Sequence, residues 1–423
     1  MKTILLFGAG KSATCLIDYL VRETGVRGWR LTVAEGNLAL AQSKIGDAAH
    51  VEAVAVRVED PEQRELLVRN ADIVISLLPP SLHILVAETC VSWKKDLLTA
   101  SYLDDAIRAL RPAIERGGLF FLCEMGLDPG IDHMSAMELI DRIGREGGRI
   151  VSFRSHTGGL VSPGSDDNPW HYKISWNPRN VVMAGSAGAQ FLDNEQIVTR
   201  DHAALFDRCG RVAVEGIGDL AWYPNRDSLS YIPIYGLEGC TTFIRTTLRY
   251  PVYCHAWKGI VAAGLTDDKR AVRADHLSEW ASPILPFVDD ENRECYRYLG
   301  LFEDSALPAG AGSSADVLQY LLETRLAMRP EDRDMIVMLH EIGYEDAGGL
   351  RYDVQSHLIV HGENSLRTAM AKTVGLPLGI AAILRLEGGI DLTGLHIPIV
   401  PAIYRPVLTA LEEESIRFEE AIR

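Results

Sequence analysis

The chain has 423 residues, longer than most single domains, and 47% of them are hydrophobic, enough to build two or three packed cores. Forty-two Lys and Arg stand against 58 Asp and Glu, a formal net charge of -16, which argues against nucleic acid or an anionic membrane as the main partner. The seven cysteines (15, 90, 123, 209, 240, 254 and 295) form no CxxC pair and are odd in number, so the reading is a cytoplasmic protein without a disulfide framework or zinc site.

The opening "MKTILLFGAG" starts with a lysine and an apolar run, but the run is too short for a signal peptide and leads straight into glycines. Apolar "TILLF", then Gly8-Ala9-Gly10-Lys11-Ser12-Ala13, then amphipathic "TCLIDYLVRE" match strand, G-x-G-x-x-A turn and helix in the order a dinucleotide site requires. Glycines let the backbone approach a pyrophosphate, and the helix start supplies unpaired N–H groups for its charge. The next predicted strand, "WRLTVAE", ends in Glu35, 25 positions beyond Gly10, where an acid would bond the adenosine ribose and favour NAD over NADP. The alternatives are a solvated glutamate, with Arg30 and Lys44 free to receive a 2'-phosphate.

Strand-like "VEAVAV", "ADIVISLL", "DLLTA" and "LFFLC" then alternate with helical "PEQRELLVRN" and "SLHILVAETCVSW", the pattern of a doubly wound parallel sheet. Ligands gather beyond the carboxyl ends of such strands, which here lead into Leu78-Pro79-Pro80, Ser101-Tyr102 and Glu124 to Asp128. The stretch "FFLCEMGLDPGIDHM" ends a buried strand in Glu124, turns at Pro129-Gly130 and starts a helix at Ile131. Asp128 sits at that junction, either as a helix cap or as a site residue.

From 149 to 260 the strands "RIVSFRSHTGG", "GRVAVEGIG" and "TTFIRTTLRYPVY" lack crossover helices, which indicates a mixed or antiparallel sheet. From Asp267 to about Gly343 the pattern is helical and charged. "RYDVQSHLIVHGEN" resumes as a strand and "SLRTAMAKTVGLPLGIAAILRL" as a long helix, buried rather than membrane-spanning because Arg385 breaks its apolar run. The expected architecture is a Rossmann domain over 1–125, an α+β domain over 126–264 and 344–388, an α-helical insertion over 265–343, and a segment 389–423 returning to the first domain.

The segments "FGAGKSA", "DIVISLLPP", "TASY", "EMGLDPGIDHM", "GGLVSPGSDDNPWHYKISW", "YPNRDS" and "TLRY", in this order across nearly the whole chain, resemble the saccharopine dehydrogenases of the saccharopine reductase, L-glutamate-forming type. The resemblance implies a homodimeric NAD(P)-dependent enzyme of lysine metabolism that interconverts saccharopine with glutamate and 2-aminoadipate 6-semialdehyde. Its second domain binds substrate and dimerises. The family's substrate contacts fall on Ser101, Tyr102, Asp128, Thr157, Gly158, Gly159, Arg226, Thr247, Leu248 and Arg249, and the cofactor contacts include Leu78 and Ser101. Arg226 and Arg249 are natural carboxylate clamps, because a guanidinium fork binds a carboxylate with two parallel hydrogen bonds. Some members carry a cysteine where this chain has Thr157, so a mechanism that needs a thiol there does not transfer.

Chemistry assigns the remaining roles. Hydride leaves a carbon beside nitrogen only when that nitrogen has a free lone pair, so an acid-base group must take the ammonium proton. Asp128 is the candidate, with Tyr102 orienting it; binding the ammonium is the other role open to Asp128. His357 and His361 fall on a strand rather than at metal-ligand spacing on a helix, so no metal is expected. His133, His156 and His171 are equally structural or supporting, Cys123 is a buried strand residue, and "VDDENRE" and "LEEESIRFEE" are solvated faces. The competing functions are a carboxynorspermidine dehydrogenase or related imine reductase, which should lack one arginine clamp, and a non-catalytic NAD(P)-binding sensor.

Overall fold

The computed structural model describes residues 1–422 and divides into two compact units, Met1–Arg142 with Leu366–Arg417, and Ile143–Ser365 with the residues from Phe418. The first unit holds β1 (Thr3–Phe7), β2 (Arg30–Glu35), β3 (Val51–Ala55), β4 (Ile73–Ser76), β5 (Asp96–Thr99) and β6 (Phe120–Leu122). They form one sheet ordered β6-β5-β4-β1-β2-β3, with the short strand Gly394–His396 added beside β6 and every pairing parallel. Ile4 to Phe7 and Ile73 to Ser76 are buried on both faces, as strands covered by helices on each side must be. Strand order reverses between β4 and β1, which opens the crevice where such sheets bind ligands.

Several boundaries differ from those expected of the sequence. The first unit continues past 125 through most of the helix Ile131–Arg145, because Tyr404 on the helix Pro401–Glu413 donates its hydroxyl to Asp141. The helix Ala369–Glu387 belongs to the first unit rather than the second: Arg367 just before it pairs with Asp18, and Arg385 pairs with Asp96, each at 2.8 Å. It is long and apolar enough to cross a membrane, yet 67% of its most apolar window is buried inside the protein, which makes it a core helix.

The second unit is built on β7 (Arg149–Val161), β8 (Ala189–Asp193), β9 (Gln196–Arg200), β10 (Gly210–Val214), β11 (Gly218–Pro224), β12 (Thr242–Arg249), β13 (Asp334–Glu345) and β14 (Arg351–His361). Its sheet runs β10-β11-β12-β7-β13-β14, and Glu419–Ile422 pairs antiparallel with β14 instead of returning to the first unit. The sheet is mixed, since β12 and β7 are parallel while their outer neighbours are antiparallel. The helical insertion stops short of 343, because "DMIVMLHEIGYE" is the central strand β13; its nearly unbroken burial hides the period-2 signal. "PVY" likewise leaves the strand reading: Pro251 opens the helix Pro251–Ala262, where a missing N–H costs nothing. That helix and the insertion pack around Trp170, Tyr253, Trp257 and Tyr296.

Candidate active site

At the end of β1 the backbone turns through Gly8 at φ 98°, and a Cβ there would sit 2.7 Å from the Leu77 carbonyl, so only glycine fits. Beside Gly10, by contrast, an added Cβ would meet nothing within 4 Å, which leaves open space against the backbone. Lys11–Ala13 forms one tight turn that leads into the helix Thr14–Arg27. Glu35 closes this turn from the tip of β2: its Oε2 accepts the Ala9 N–H at 2.7 Å and its Oε1 the Asn37 N–H at 3.2 Å. Lys44 donates to the Gly10 carbonyl at 2.6 Å, and burial pushes its ammonium down against the pull of Glu35. Arg30 pairs with Thr3 at the opposite end of β2, roughly 16 Å of strand from Glu35, so it does not stand where a 2'-phosphate would bind. The turn, the open side of Gly10 and the carboxylate at the β2 tip fit a dinucleotide.

Beyond β5 and β6 the two residues nominated for proton handling meet: the Tyr102 hydroxyl donates to Asp128 Oδ1 at 3.1 Å. Glu124 explains why an apolar strand ends in an acid. Its N–H donates to the Ser101 carbonyl at 3.0 Å and its Oε1 accepts the Leu103 N–H at 3.0 Å, so one residue brackets Tyr102 from both sides. Its other oxygen meets His133 Nε2 at 2.8 Å, with both side chains buried. Glu124 holds φ 58°, a left-handed conformation costly for a non-glycine residue and concentrated at functional sites. Asp132 Oδ1 accepts the Gly130 N–H at 2.6 Å and fixes the turn that follows Asp128. Asp132 thus pins the start of the helix, and Asp128 meets Tyr102. His133 acts here as a supporting residue.

Leu78 packs its side chain on the first unit's core. Ser101 contacts a buried histidine, His83, that sequence reading missed because a lone His in an apolar helix reads as core.

The contacts expected on the second unit sort by strand alternation. Tyr223, Thr247, Thr157 and Met338 are register neighbours across β11, β12, β7 and β13 and share one face with Gly159 and Arg249. Leu248 and Gly158 point to the other face: Leu248 belongs to an apolar cluster with Leu160, Val337 and Leu339. A Cβ on Gly158 would come within 2.7 Å of the Leu248 Cβ, so that glycine serves strand packing. Leu248 and Gly158 therefore lie on the face opposite Thr157, Gly159, Thr247 and Arg249.

Arg249 is 3% exposed, with its guanidinium over the rings of Tyr172 and Tyr253 at 5.2 and 5.4 Å. Its Nη1 donates to the Leu248 carbonyl at 2.7 Å, and its buried Nε has no hydrogen-bond partner among the described residues. A buried guanidinium with an unused donor is costly unless an anion arrives. Arg226 is different in kind: exposed, at φ 51° on the loop after β11, with its carbonyl accepting the Gln190 N–H at 3.1 Å. Sequence reading also missed Arg245, buried and stacked over Tyr231 at 4.5 Å.

Two family models cover this frame: the saccharopine dehydrogenase NADP binding domain over residues 4–122 and the saccharopine dehydrogenase C-terminal domain over residues 126–416. The chain belongs to the saccharopine dehydrogenase family. It is similar to saccharopine dehydrogenase [NADP(+), L-glutamate-forming] of Saccharomyces cerevisiae, with 32% identity over 98% of this chain and 97% of that protein. It is also similar to mitochondrial alpha-aminoadipic semialdehyde synthase of Bos taurus, with 34% identity over 99% of this chain but 47% of the relative, so the chain spans about half the length of such relatives. The apo saccharopine dehydrogenase (L-Glu forming) structure from Saccharomyces cerevisiae superposes with a TM-score of 0.90 at 31% identity, covering 100% of both chains. That likeness accounts for the two-unit architecture and the parallel nucleotide-binding sheet.

Proposed function

We propose that the protein oxidises saccharopine at its secondary amine, with a nicotinamide cofactor as hydride acceptor, and releases L-glutamate and 2-aminoadipate 6-semialdehyde. The observation that carries this reading is the Tyr102–Asp128 hydrogen bond, held at the carboxyl end of the nucleotide-binding sheet. Bound in the cradle of Gly8, Gly10, Lys11, Ser12 and Ala13, with Leu78 and Ser101 beside it, the cofactor would supply the two-electron sink. Asp128 takes the proton from the substrate ammonium and frees the nitrogen lone pair; loss of hydride leaves an iminium, and Asp128, once that first proton has passed to solvent, takes a proton from the water that adds to it and returns it to the nitrogen as the carbinolamine collapses to glutamate and the aldehyde. Such proton handling contributes typically about 10²- to 10⁴-fold. Tyr102 keeps the carboxylate aimed. Arg249 receives a substrate carboxylate on the face that carries Thr157, Gly159 and Thr247, and Arg226 takes a second at the solvent edge. Two arginines favour this tricarboxylate over a carboxynorspermidine-type adduct, and the Tyr102–Asp128 pair favours catalysis over a sensor role.

The NADP-named family domain establishes the nucleotide class; within it, we read the protein as preferring NAD, because Glu35 offers a carboxylate where a 2'-phosphate would have to lie. A homodimer follows from the family reading, and light scattering tests it. A reducing compartment such as the cytoplasm suits seven free thiols, five of them buried. The catalytic assignment is tested by Asp128→Asn: reduced-cofactor formation with saccharopine should fall about a hundredfold or more while nucleotide binding persists. Wild-type turnover in that variant would remove Asp128 from the proton path.

A further inference from the structure

Beneath the Ser101-Tyr102 loop lies a buried imidazole that no motif contains. His83 stands in the first turns of the helix Pro80–Trp93 and is 2% exposed. Its Nδ1 meets the Ser76 hydroxyl at 2.8 Å at the end of β4. Its Nε2 meets the Ser101 hydroxyl at 2.8 Å and the Thr99 hydroxyl at 3.3 Å, both at the end of β5. Thr99 Oγ1 in turn accepts the Ser101 N–H at 3.3 Å. One ring therefore ties the carboxyl ends of two adjacent strands to the residue that precedes Tyr102.

We propose that His83 is a positioning residue for the reaction, fixing the Ser101 hydroxyl and, through it, the direction in which the loop presents Tyr102 to Asp128. The proposal rests on the saccharopine reading above. A neutral imidazole has one donor and one acceptor, so the Ser76 and Ser101 hydroxyls on its two sides cannot be oriented independently. Turning Ser76 sets which ring nitrogen carries the proton, and that decides whether Ser101 offers a ligand its proton or its lone pair. A charged ring would donate on both sides and abolish the choice. Burial keeps the ring neutral, pushing its pKa down to about 4 against the opposing field of Asp104. From the other side, Glu124 holds the Ser101 carbonyl and the Leu103 N–H, so the loop is gripped at its backbone by Glu124 and at its side chain by His83.

A histidine that only fills space would be replaced by any side chain of similar shape. A positioning histidine needs the atom at Nε2. Glutamine reaches that position, asparagine reaches only Nδ1, and phenylalanine keeps the shape without either. With saccharopine, kcat should fall about tenfold or more in His83→Phe and His83→Asn, with the cofactor KM changing less than about twofold, and His83→Gln should recover most of the loss. In a His83→Phe/Ser101→Ala double variant the second change should cost clearly less than Ser101→Ala costs in the wild type. Thermal melts and reduced-cofactor fluorescence identify any variant that fails to fold, in which case His83→Gln and Ser101→Ala carry the comparison. Independently of substrate, 15N-histidine NMR should show a neutral His83 ring from about pH 5 to 8, with its Nε2 resonance displaced in Ser101→Ala. Wild-type kcat in His83→Phe, equal activity in the Asn and Gln variants, or an Nε2 resonance indifferent to Ser101→Ala would overturn the proposal. If the wild type does not turn over saccharopine, the substrate reading fails, and the NMR arm still decides the His83–Ser101 coupling.

Discussion

Replacing Glu35 with serine should erase most of the NAD preference proposed for this protein. In the wild type the carboxylate is anchored by the Ala9 and Asn37 N–H groups and so cannot swing away from an incoming 2'-substituent. A ribose 2'-hydroxyl gains a hydrogen bond to a charged acceptor, worth about 1.5–3 kcal/mol. A 2'-phosphate instead meets like charge; a unit pair at 4 Å costs about 4 kcal/mol at an effective dielectric of 20. The half-buried position of Glu35, solvent screening and the nearby Lys44 reduce the repulsion, and Lys44 is already held by the Gly10 carbonyl. A net preference of about 3 kcal/mol, on the order of a hundredfold in kcat/KM, is what remains. The assay is the ratio of kcat/KM for NAD+ and NADP+ at fixed saccharopine, with NADH and NADPH fluorescence titrations as a substrate-free check. A wild-type ratio at or below one, or a ratio unchanged in Glu35→Ser, would refute the reasoning.

Other consequences are equally specific. Arg249→Lys should raise the saccharopine KM by about tenfold or more, because a point charge cannot reproduce a stacked fork; a KM like that of the wild type would exclude it as a clamp. Arg226→Ala, at the exposed edge, should raise KM with kcat nearly unchanged, and an equal loss in kcat would mean that it acts in the transition state instead. Glu124→Ala should cut kcat and lower the melting temperature together, since it removes the Leu103 and His133 contacts at once; a stable variant of full activity would contradict the bracketing role. The pKa of His83 is about 4 when folded against an ordinary value of 6.5, so between those limits the unfolded chain binds a proton that the folded one refuses. Its contribution is complete above about pH 6.5 and is lost on acidification toward pH 4, some 3 kcal/mol in all. Urea unfolding at pH 5 and 7 should show that slope in the wild type and a shallower one in His83→Gln; identical slopes would sink the assignment.

The features legible in the sequence are those that rest on local pattern. The glycine turn, the helix following it and the acid closing β2 lie within a few dozen residues, and the alternation of strand and helix through residue 124 reports a parallel sheet directly. The loops that carry Ser101, Tyr102 and Asp128 are legible because each follows a strand of the parallel sheet. What escaped depends on contacts distant in sequence. The helix Ala369–Glu387 joins the first unit through Asp18 and Asp96, which no local pattern reveals. β13 is buried on both faces and shows no alternation. The face that Gly158 and Leu248 take follows from the register of β7 with β12, which a contiguous segment does not display. Glu124 was conspicuous as an acid ending an apolar strand, but its left-handed φ and its grip on the Tyr102 loop exist only in three dimensions.

The most direct test of the central claim is the initial rate of reduced-nicotinamide formation by purified protein given saccharopine and either NAD+ or NADP+ at alkaline pH, with glutamate measured in the same reaction. Cofactor reduction that requires saccharopine and is matched mole for mole by glutamate is the predicted result, faster with NAD+ than with NADP+. No reduction with either nucleotide, while both reduced forms still bind, would contradict the account and move the substrate to another amine adduct carried by the same fold.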